Sequence, residues 1–404
     1  MCARGAGAIC LIAGGWAAAA QLRPESVLLE RIRQKAAENL SRAPNYTCVQ
    51  TIERSQRPAG EKNFVTLDRV RVEVALVEGK ELFSWPGANR FEDKSLRELV
   101  GGTTTTGDYA MHAHAVFRTP APAFHPGGEE TLGDRRMIRY HYRIPQQASG
   151  YRIHVGDREA VAGYHGSIWA DRETLELTRL LIEVDEVPAE LALASARTVI
   201  DYSKVRVGTS LFLLPQRVEF TMRRADGSES RNHTQFTGCR QYVGQFEISF
   251  TDPTEPRAAA AEDPVAEMEL PAGLELETRL ETPIDSDRAA VGDPITARLA
   301  WAAKWRGREM VPKGAILSGR IHRLERPGGR APYFVIGLEF RQLVFGNQRA
   351  RFRGQLQAVG PIPGVPARQM MPLPQQEAGV GVFVLRGTSL RLPRGARLAW
   401  RILE

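Results

Sequence analysis

Short runs of alternating apolar and polar residues recur along much of this 404-residue sequence. In the run DRVRVEVAL (68–76), Val70, Val72 and Val74 alternate mostly with charged residues, and residues 138–144 alternate in the same way. Alternate side chains of a strand point to the same face, so each run predicts a strand with one buried face. No helical stretch of 10–15 residues separates these runs, which favours an antiparallel sheet over parallel βαβ units.

A helix is predicted before the first strand. Residues 25–41 place Leu29, Ile32, Ala36 and Leu40 three or four positions apart, which puts them on one face of a helix. The strands after residue 272 are short and are separated by Gly and Pro turns, so a second all-β domain is expected there.

The first 20 residues have the pattern of an export signal. Arg4 precedes an apolar run over residues 5–20, and Ala18 and Ala20 are the small residues that a signal peptidase requires. We expect cleavage after residue 20 and a periplasmic or secreted protein; the alternative is an uncleaved N-terminal anchor. No later apolar run is long enough for a transmembrane helix, so none is expected in the mature chain.

The charge is distributed unevenly and indicates a domain boundary. Residues 304–404 contain 18 Lys/Arg and 5 Asp/Glu, whereas residues 247–303 contain 4 and 13. We therefore predict a first domain at 21–250, a Pro/Ala/acidic linker at 251–272 and a basic all-β domain at 273–404, with few contacts between the domains. Arg outnumbers Lys 47 to 7, which favours a general arginine bias over a nucleic-acid-binding surface.

The first domain, over about residues 25–246, resembles the LolA/LolB-like superfamily of periplasmic lipoprotein-sorting factors. The resemblance is carried by a helix, a long antiparallel meander and the segment YHGSIWADRETLELTRLLIE at 164–183. It implies a half-barrel sheet and a helical lid around an apolar cavity for acyl chains; residues 101–130 are the candidate lid or, alternatively, an irregular excursion. The implied cavity residues, which could equally be ordinary core residues, are Val70, Val72, Val74, Tyr140, Tyr142, Trp169 and Phe220.

The second domain resembles the C-terminal β-barrel of TrbI-type conjugation-channel proteins. The matching segments are IDSDRAAVGDPITARL at 284–299 and VPKGAILSGRI at 311–321. In those proteins the barrel assembles in or near the outer membrane. For this chain we infer from the resemblance only the barrel fold, and not the channel. The predicted fold class is therefore mainly β: an N-terminal helix with an antiparallel half-barrel, followed by a second small all-β barrel-like domain.

Two cysteines remain after the predicted cleavage. Cys48 lies on the first strand of the meander and Cys239 at the end of the last strand. The sequence alone does not indicate that these two strands are close in space. The half-barrel resemblance implies that they are, if the sheet curls. We therefore predict a Cys48–Cys239 disulfide, which an oxidising compartment would preserve; the alternative is two separate buried thiols.

Motifs for catalysis or metal binding are weak. His112 and His114 would diverge on a helix, and neither HExxH nor CxxC accompanies them. GYHGS (163–167) lacks the Gly-x-Ser-x-Gly pattern of a nucleophile elbow. We expect no enzyme, cofactor or metal site. Two functions fit: an exported carrier of lipid-like or other apolar ligands, with lipid or lipoprotein acyl chains as partners, or an envelope scaffold whose C-terminal domain binds a protein.

Overall fold

The computed structural model describes residues 24–241 and 266–404, apart from positions 78, 79, 89, 93, 106, 328–331, 363–369 and 374–377. The predicted signal peptide and residues 251–265 of the predicted linker lie outside the described residues. Among the described residues, no helix has the length and hydropathy needed to span a bilayer.

Three α-helices belong to the first part of the chain: α1 (Pro24–Arg42), α2 (Leu96–Val100) and α3 (Met111–Phe117). The first confirms the predicted N-terminal helix, with Ile32 and Ala36 buried. A capping box begins α2, because the Ser95 hydroxyl accepts from the Glu98 amide while the Glu98 carboxylate accepts from the Ser95 amide. Short 3₁₀ turns lie at Gln146–Ala148 and Ala189–Leu191.

The first sheet has ten antiparallel strands in the order β3-β2-β1-β12-β11-β10-β9-β8-β5-β4. Its strands are β1 (Tyr46–Arg57), β2 (Val65–Val77), β3 (Lys80–Ser84), β4 (Ala123–Leu132), β5 (Arg135–Ile144), β8 (Gly163–Asp171), β9 (Leu177–Asp185), β10 (Leu193–Val207), β11 (Ser210–Arg224) and β12 (Glu229–Gln241). A separate hairpin joins β6 (Arg152–Val155) to β7 (Arg158–Val161). The sheet curls into a half-barrel, and residues from Val70 near one edge to Tyr142 near the other are buried on one face of it. The predicted antiparallel sheet is confirmed.

The second sheet also has ten strands and is antiparallel except where β13 pairs with β21. Its strands are β13 (Ala266–Met268), β14 (Glu275–Leu280), β16 (Pro294–Leu299), β19 (Ile316–Glu325), β20 (Tyr333–Phe345), β21 (Gln348–Arg351), β22 (Gly354–Val359), β23 (Met370–Pro372), β24 (Val380–Arg386) and β26 (Arg397–Ile402). Two ribbons complete it: β15 (Ile284–Asp285) with β25 (Arg391–Leu392), and β17 (Ala303–Trp305) with β18 (Arg308–Val311). The sheet folds over itself, because Phe340 of β20 packs edge-on against Trp400 of β26.

The two sheets meet at the N-terminal half of β2. The Arg71 amide donates to the Val291 carbonyl and the Val291 amide donates to the Arg69 carbonyl, each at 2.8 Å. Arg71 also forms an ion pair with Asp293, and the Arg320 guanidinium lies 4.0 Å from the centre of the Trp85 ring. These contacts form a defined junction, whereas the sequence led us to expect few contacts between the two parts.

Candidate functional site

The concave face of the first sheet is the candidate site. Six of the seven residues predicted to line a cavity lie on this face and are nearly inaccessible to solvent: Val70, Val72, Val74, Tyr140, Tyr142 and Phe220. All but Phe220 belong to the main buried cluster. Phe220 packs with Ile153 and Met222 in a smaller cluster. The six residues therefore share one buried face of the sheet, on which Phe220 belongs to the smaller cluster.

Trp169 is the exception, and its predicted place in the cavity is corrected by the strand register. Ile168 pairs with Tyr140 across β8 and β5, so the adjacent Trp169 points to the opposite, convex face. There it donates a hydrogen bond to Glu130 and borders a shallow depression of about 200 Å³ with Arg179 and Asp201. The face of a sheet on which an aromatic residue lies can be assigned only when the register of its strand is known.

A helical segment covers the concave face. Residues 101–118, which we name the lid, include α3 and bury Tyr109, Val116 and Phe117. The Tyr109 ring centre lies 4.9 Å from that of Tyr46, and its hydroxyl lies 3.2 Å from the Cys48 sulfur. The predicted lid at 101–130 is thus too long, because residues 123–132 form the edge strand β4.

The gap under the lid is small. The gap between α1, the lid and the sheet has a volume of only about 10 Å³ and is lined by Tyr46, Tyr109, Tyr202 and Leu214 among others. A gap of this size holds one water molecule at most. An acyl chain could therefore enter this gap only if the lid moved.

A half-buried carboxylate attaches the lid to the sheet. Glu81 of β3 accepts hydrogen bonds from the lid amides of Gly107 at 2.9 Å, Ala110 at 3.0 Å and Met111 at 3.3 Å. Burial raises the pKa of Glu81 above its ordinary value, and these three hydrogen bonds oppose that rise. The lid is therefore held by a polar contact inside a mostly apolar surface.

Further polar groups of the lid are buried beside it. Asp108 and His112 are 3% and 5% exposed, and the Asp108 Oδ1 and His112 Nε2 atoms lie 3.5 Å apart. Apart from this contact with each other, these two atoms make no hydrogen bond to another described residue, and neither does the Tyr202 hydroxyl. Burial also raises the pKa of Tyr202 well above its ordinary value. Buried polar atoms without partners cost stability, so this contact surface is less stable than an apolar one would be.

The base of the lid has a firmer attachment. Arg54 of β1 forms a bidentate ion pair with Asp68 of β2, at 2.7 and 2.5 Å. Its remaining nitrogen donates to the Gly101 carbonyl at 2.6 Å. The side-chain amide of Asn232 donates to the Thr103 carbonyl at 3.0 Å. Residues 101–103 are thus fixed to the sheet, whereas Glu81 and aromatic packing hold the rest of the lid.

The structure joins Cys48 to Cys239, with a Cα–Cα distance of 4.1 Å. The pairing agrees with the prediction, but its geometric reason differs. The first and last strands, β1 and β12, are neighbours inside the sheet, not its two ends. Gly238, at φ 58°, accompanies a bulge where the register shifts between Thr47 and Val49, and the two sulfurs meet there.

Residues considered for catalysis are scattered. His112 and His114 lie on α3, whereas His165 lies on β8 and contacts Asp185 at 3.1 Å. Ser167 lies 2.9 Å from His141 on the convex face, an arrangement that sequence reasoning did not find because the two residues are on different strands. Within the described ranges, no three His, Cys, Asp or Glu side chains cluster as metal ligands.

Comparison by sequence gave no relatives: no family model matches the chain, and no curated protein matches it. Solved structures do resemble it. A DUF1329 family protein from Desulfovibrio piger is 10% identical, with a TM-score of 0.32, over 57% of this chain and 98% of that one.

Two further structures give similar values. A LolA superfamily protein from Nitrosomonas europaea is 13% identical, with a TM-score of 0.31, over 55% of this chain and 97% of its own. A putative outer membrane lipoprotein-sorting protein domain from Vibrio parahaemolyticus is 11% identical, with a TM-score of 0.31, over 55% and 94%. Each of these three matches covers 55–57% of this chain, and one of the three is itself a LolA superfamily protein.

Proposed function

We propose that this chain is an exported, non-catalytic carrier or binding protein for a lipid-like or other apolar ligand of the bacterial cell envelope. The observation that carries the proposal is the lid: one short segment, residues 101–118, covers an aromatic and aliphatic concave face. Its inner contacts include the Glu81 carboxylate and the Tyr202 hydroxyl, which makes no hydrogen bond to another described residue. Opening a lid of this kind requires less free energy than removing a second apolar layer would.

The ligand would enter only when the lid moves. A gap of about 10 Å³ is far too small for an acyl chain. In the open state, Tyr46, Tyr142 and the valines of β2 would form an apolar surface for lipid or lipoprotein acyl chains. The closed structure then corresponds to the unloaded carrier, and ligand binding shifts the population towards the open form.

The proposed location is the periplasm or the extracellular space, after cleavage of the signal at residues 1–20. The Cys48–Cys239 disulfide supports export, because disulfides persist in oxidising compartments and are rare in the cytosol. The proposed activity requires no cofactor.

A fluorescent fatty-acid probe tests the carrier function. We expect the intact protein to bind the probe and Tyr109→Ala to release it several-fold faster, because Tyr109 packs the lid on Tyr46 and the disulfide. Met111→Ala is the matched control, since Met111 lies in the same segment but is 42% exposed. The carrier function is wrong if the intact protein binds no probe at any pH tested.

The second candidate is an envelope assembly or scaffold protein whose C-terminal domain binds a protein partner. The small volume of the gap under the lid, about 10 Å³, favours it, because a scaffold needs no cavity. Native mass spectrometry of protein purified from the envelope separates the two. Co-purified lipid supports the carrier, and a lipid-free complex with another protein supports the scaffold.

A further inference from the structure

Three arginines lie side by side on the exposed face of the second sheet. Arg279 of β14 is directly opposite Arg298 of β16 and also directly opposite Arg397 of β26. All three side chains are exposed. Adjacent strands are roughly 5 Å apart, so this arginine row places three positive charges in line across three strands.

The arginine row is unfavourable within the protein itself. Like charges directly opposite each other on neighbouring strands destabilise a sheet. Arg298 has a partial counter-charge in Glu281 at 3.7 Å, but Glu281 also pairs with Arg394 at 2.6 Å. Arg279 and Arg397 form no ion pair with any described residue. Arg279 and Arg397 are therefore available to bind anions from outside the protein.

Apolar side chains continue the arginine row at one end. Ile316 of β19 lies directly opposite Arg298 and is 40% exposed. The Arg298 guanidinium donates to the Gly314 carbonyl at 3.1 Å, next to Lys313. The Lys313 ammonium lies 5.4 Å from the ring centre of Trp301, which at 58% is the most exposed large apolar residue described. Cations and an exposed indole thus form one continuous surface.

We propose that this surface docks the protein on an anionic lipid bilayer. The phosphates of the headgroups would neutralise the arginine row, and Trp301 and Ile316 would enter the boundary between headgroups and acyl chains. A free phosphate ion would use the arginines but leave the indole exposed, so a lipid surface fits the whole set better. The proposed basic-tryptophan face consists of Arg279, Arg298, Arg397, Lys313, Trp301 and Ile316.

Flotation of the full chain with vesicles tests this proposal, and does so independently of the carrier function. We expect binding to phosphatidylethanolamine vesicles that contain phosphatidylglycerol and little binding to vesicles without it. Arg279→Gln with Arg397→Gln should weaken binding roughly 30-fold, from the usual contribution of each basic residue near an anionic surface. Trp301→Ala should weaken binding while leaving its salt dependence unchanged.

The matched control is Arg349→Gln with Arg351→Gln, which removes the same charge from exposed positions of β21 in the same sheet. Equal losses in the two double variants would show that net charge alone drives binding and would overturn the proposal. Equal binding to both kinds of vesicle would do so too. Full competition by inorganic phosphate, or retention by a protein partner without any vesicle binding, would identify a different occupant.

Discussion

Glu81 is the ionisable residue of the sheet that binds the lid backbone. Its carboxylate accepts from three lid amides, and burial raises its pKa from 4.5. A closed lid therefore holds the Glu81 proton more tightly than an open one. The resulting stabilisation of the closed lid is complete below the ordinary pKa and is lost as the pH rises through the raised value.

We predict that the lid opens more often as the pH rises from acidic to neutral. Hydrogen exchange at the amides of residues 107–111, corrected for its intrinsic pH dependence, should accelerate by about tenfold for each unit by which the pKa is raised. In Glu81→Gln this acceleration should be absent. Glu61→Gln, at an exposed position, is the control; a persistent pH dependence in Glu81→Gln would assign the titration to another group.

At the scale of elements, the pairing of β1 with β12 is fixed covalently. The Cys48–Cys239 bond closes a loop with a sequence separation of 191 residues. Loop-closure entropy gives an upper value of about 5 kcal/mol for such a loop. Because the bond lies where the register shifts, it also fixes the alignment of the two strands.

We predict that Cys48→Ser with Cys239→Ser lowers the free energy of unfolding by about 3–5 kcal/mol. Denaturant unfolding of the oxidised protein, the reduced protein and the double variant measures it. The reduced protein should resemble the variant. Two alkylatable thiols at these positions in unreduced protein taken from the envelope would show that the bond does not form in the cell.

Periodicity predicted the strands at 68–76 and 138–144 and the helix at 25–41, because burial of one face leaves a regular pattern in the sequence. It did not predict which face Trp169 occupies, because a strand pattern fixes alternation but not the register against its neighbours. The contacts of Glu81 with the lid were also not predictable. They join a side chain to backbone amides, which have no residue-specific signal.

At the scale of the whole molecule, the junction near β2 determines whether the two sheets act separately. Gly292 has a φ of +99°, and a Cβ there would lie 2.3 Å from the Arg71 carbonyl oxygen and 2.5 Å from the Trp85 ring. Any side chain at this position would therefore separate the two surfaces. A substitution at Gly292 therefore tests whether the junction holds the two sheets together.

We predict that the two halves stay associated after cleavage at a protease site engineered within residues 251–265, and co-elute in size-exclusion chromatography. Gly292→Ala should release them. Gly307→Ala should not, because Gly307 has a similar φ of +81° but no atom within 4 Å of its Cβ position. Elution of separate halves from the otherwise unaltered chain would show that the junction contributes little.

The junction at β2 has a consequence for solubility. β3 covers β2 only from Glu73 to Val77, so the preceding stretch, VTLDRVRV at 65–72, would present open amides and carbonyls along much of its length. Val291 and Arg326 occupy that stretch from within the same chain. An uncovered strand edge of this kind recruits strands from other molecules and leads to aggregation. The C-terminal sheet thus shields the N-terminal sheet from its own copies, whatever either one binds.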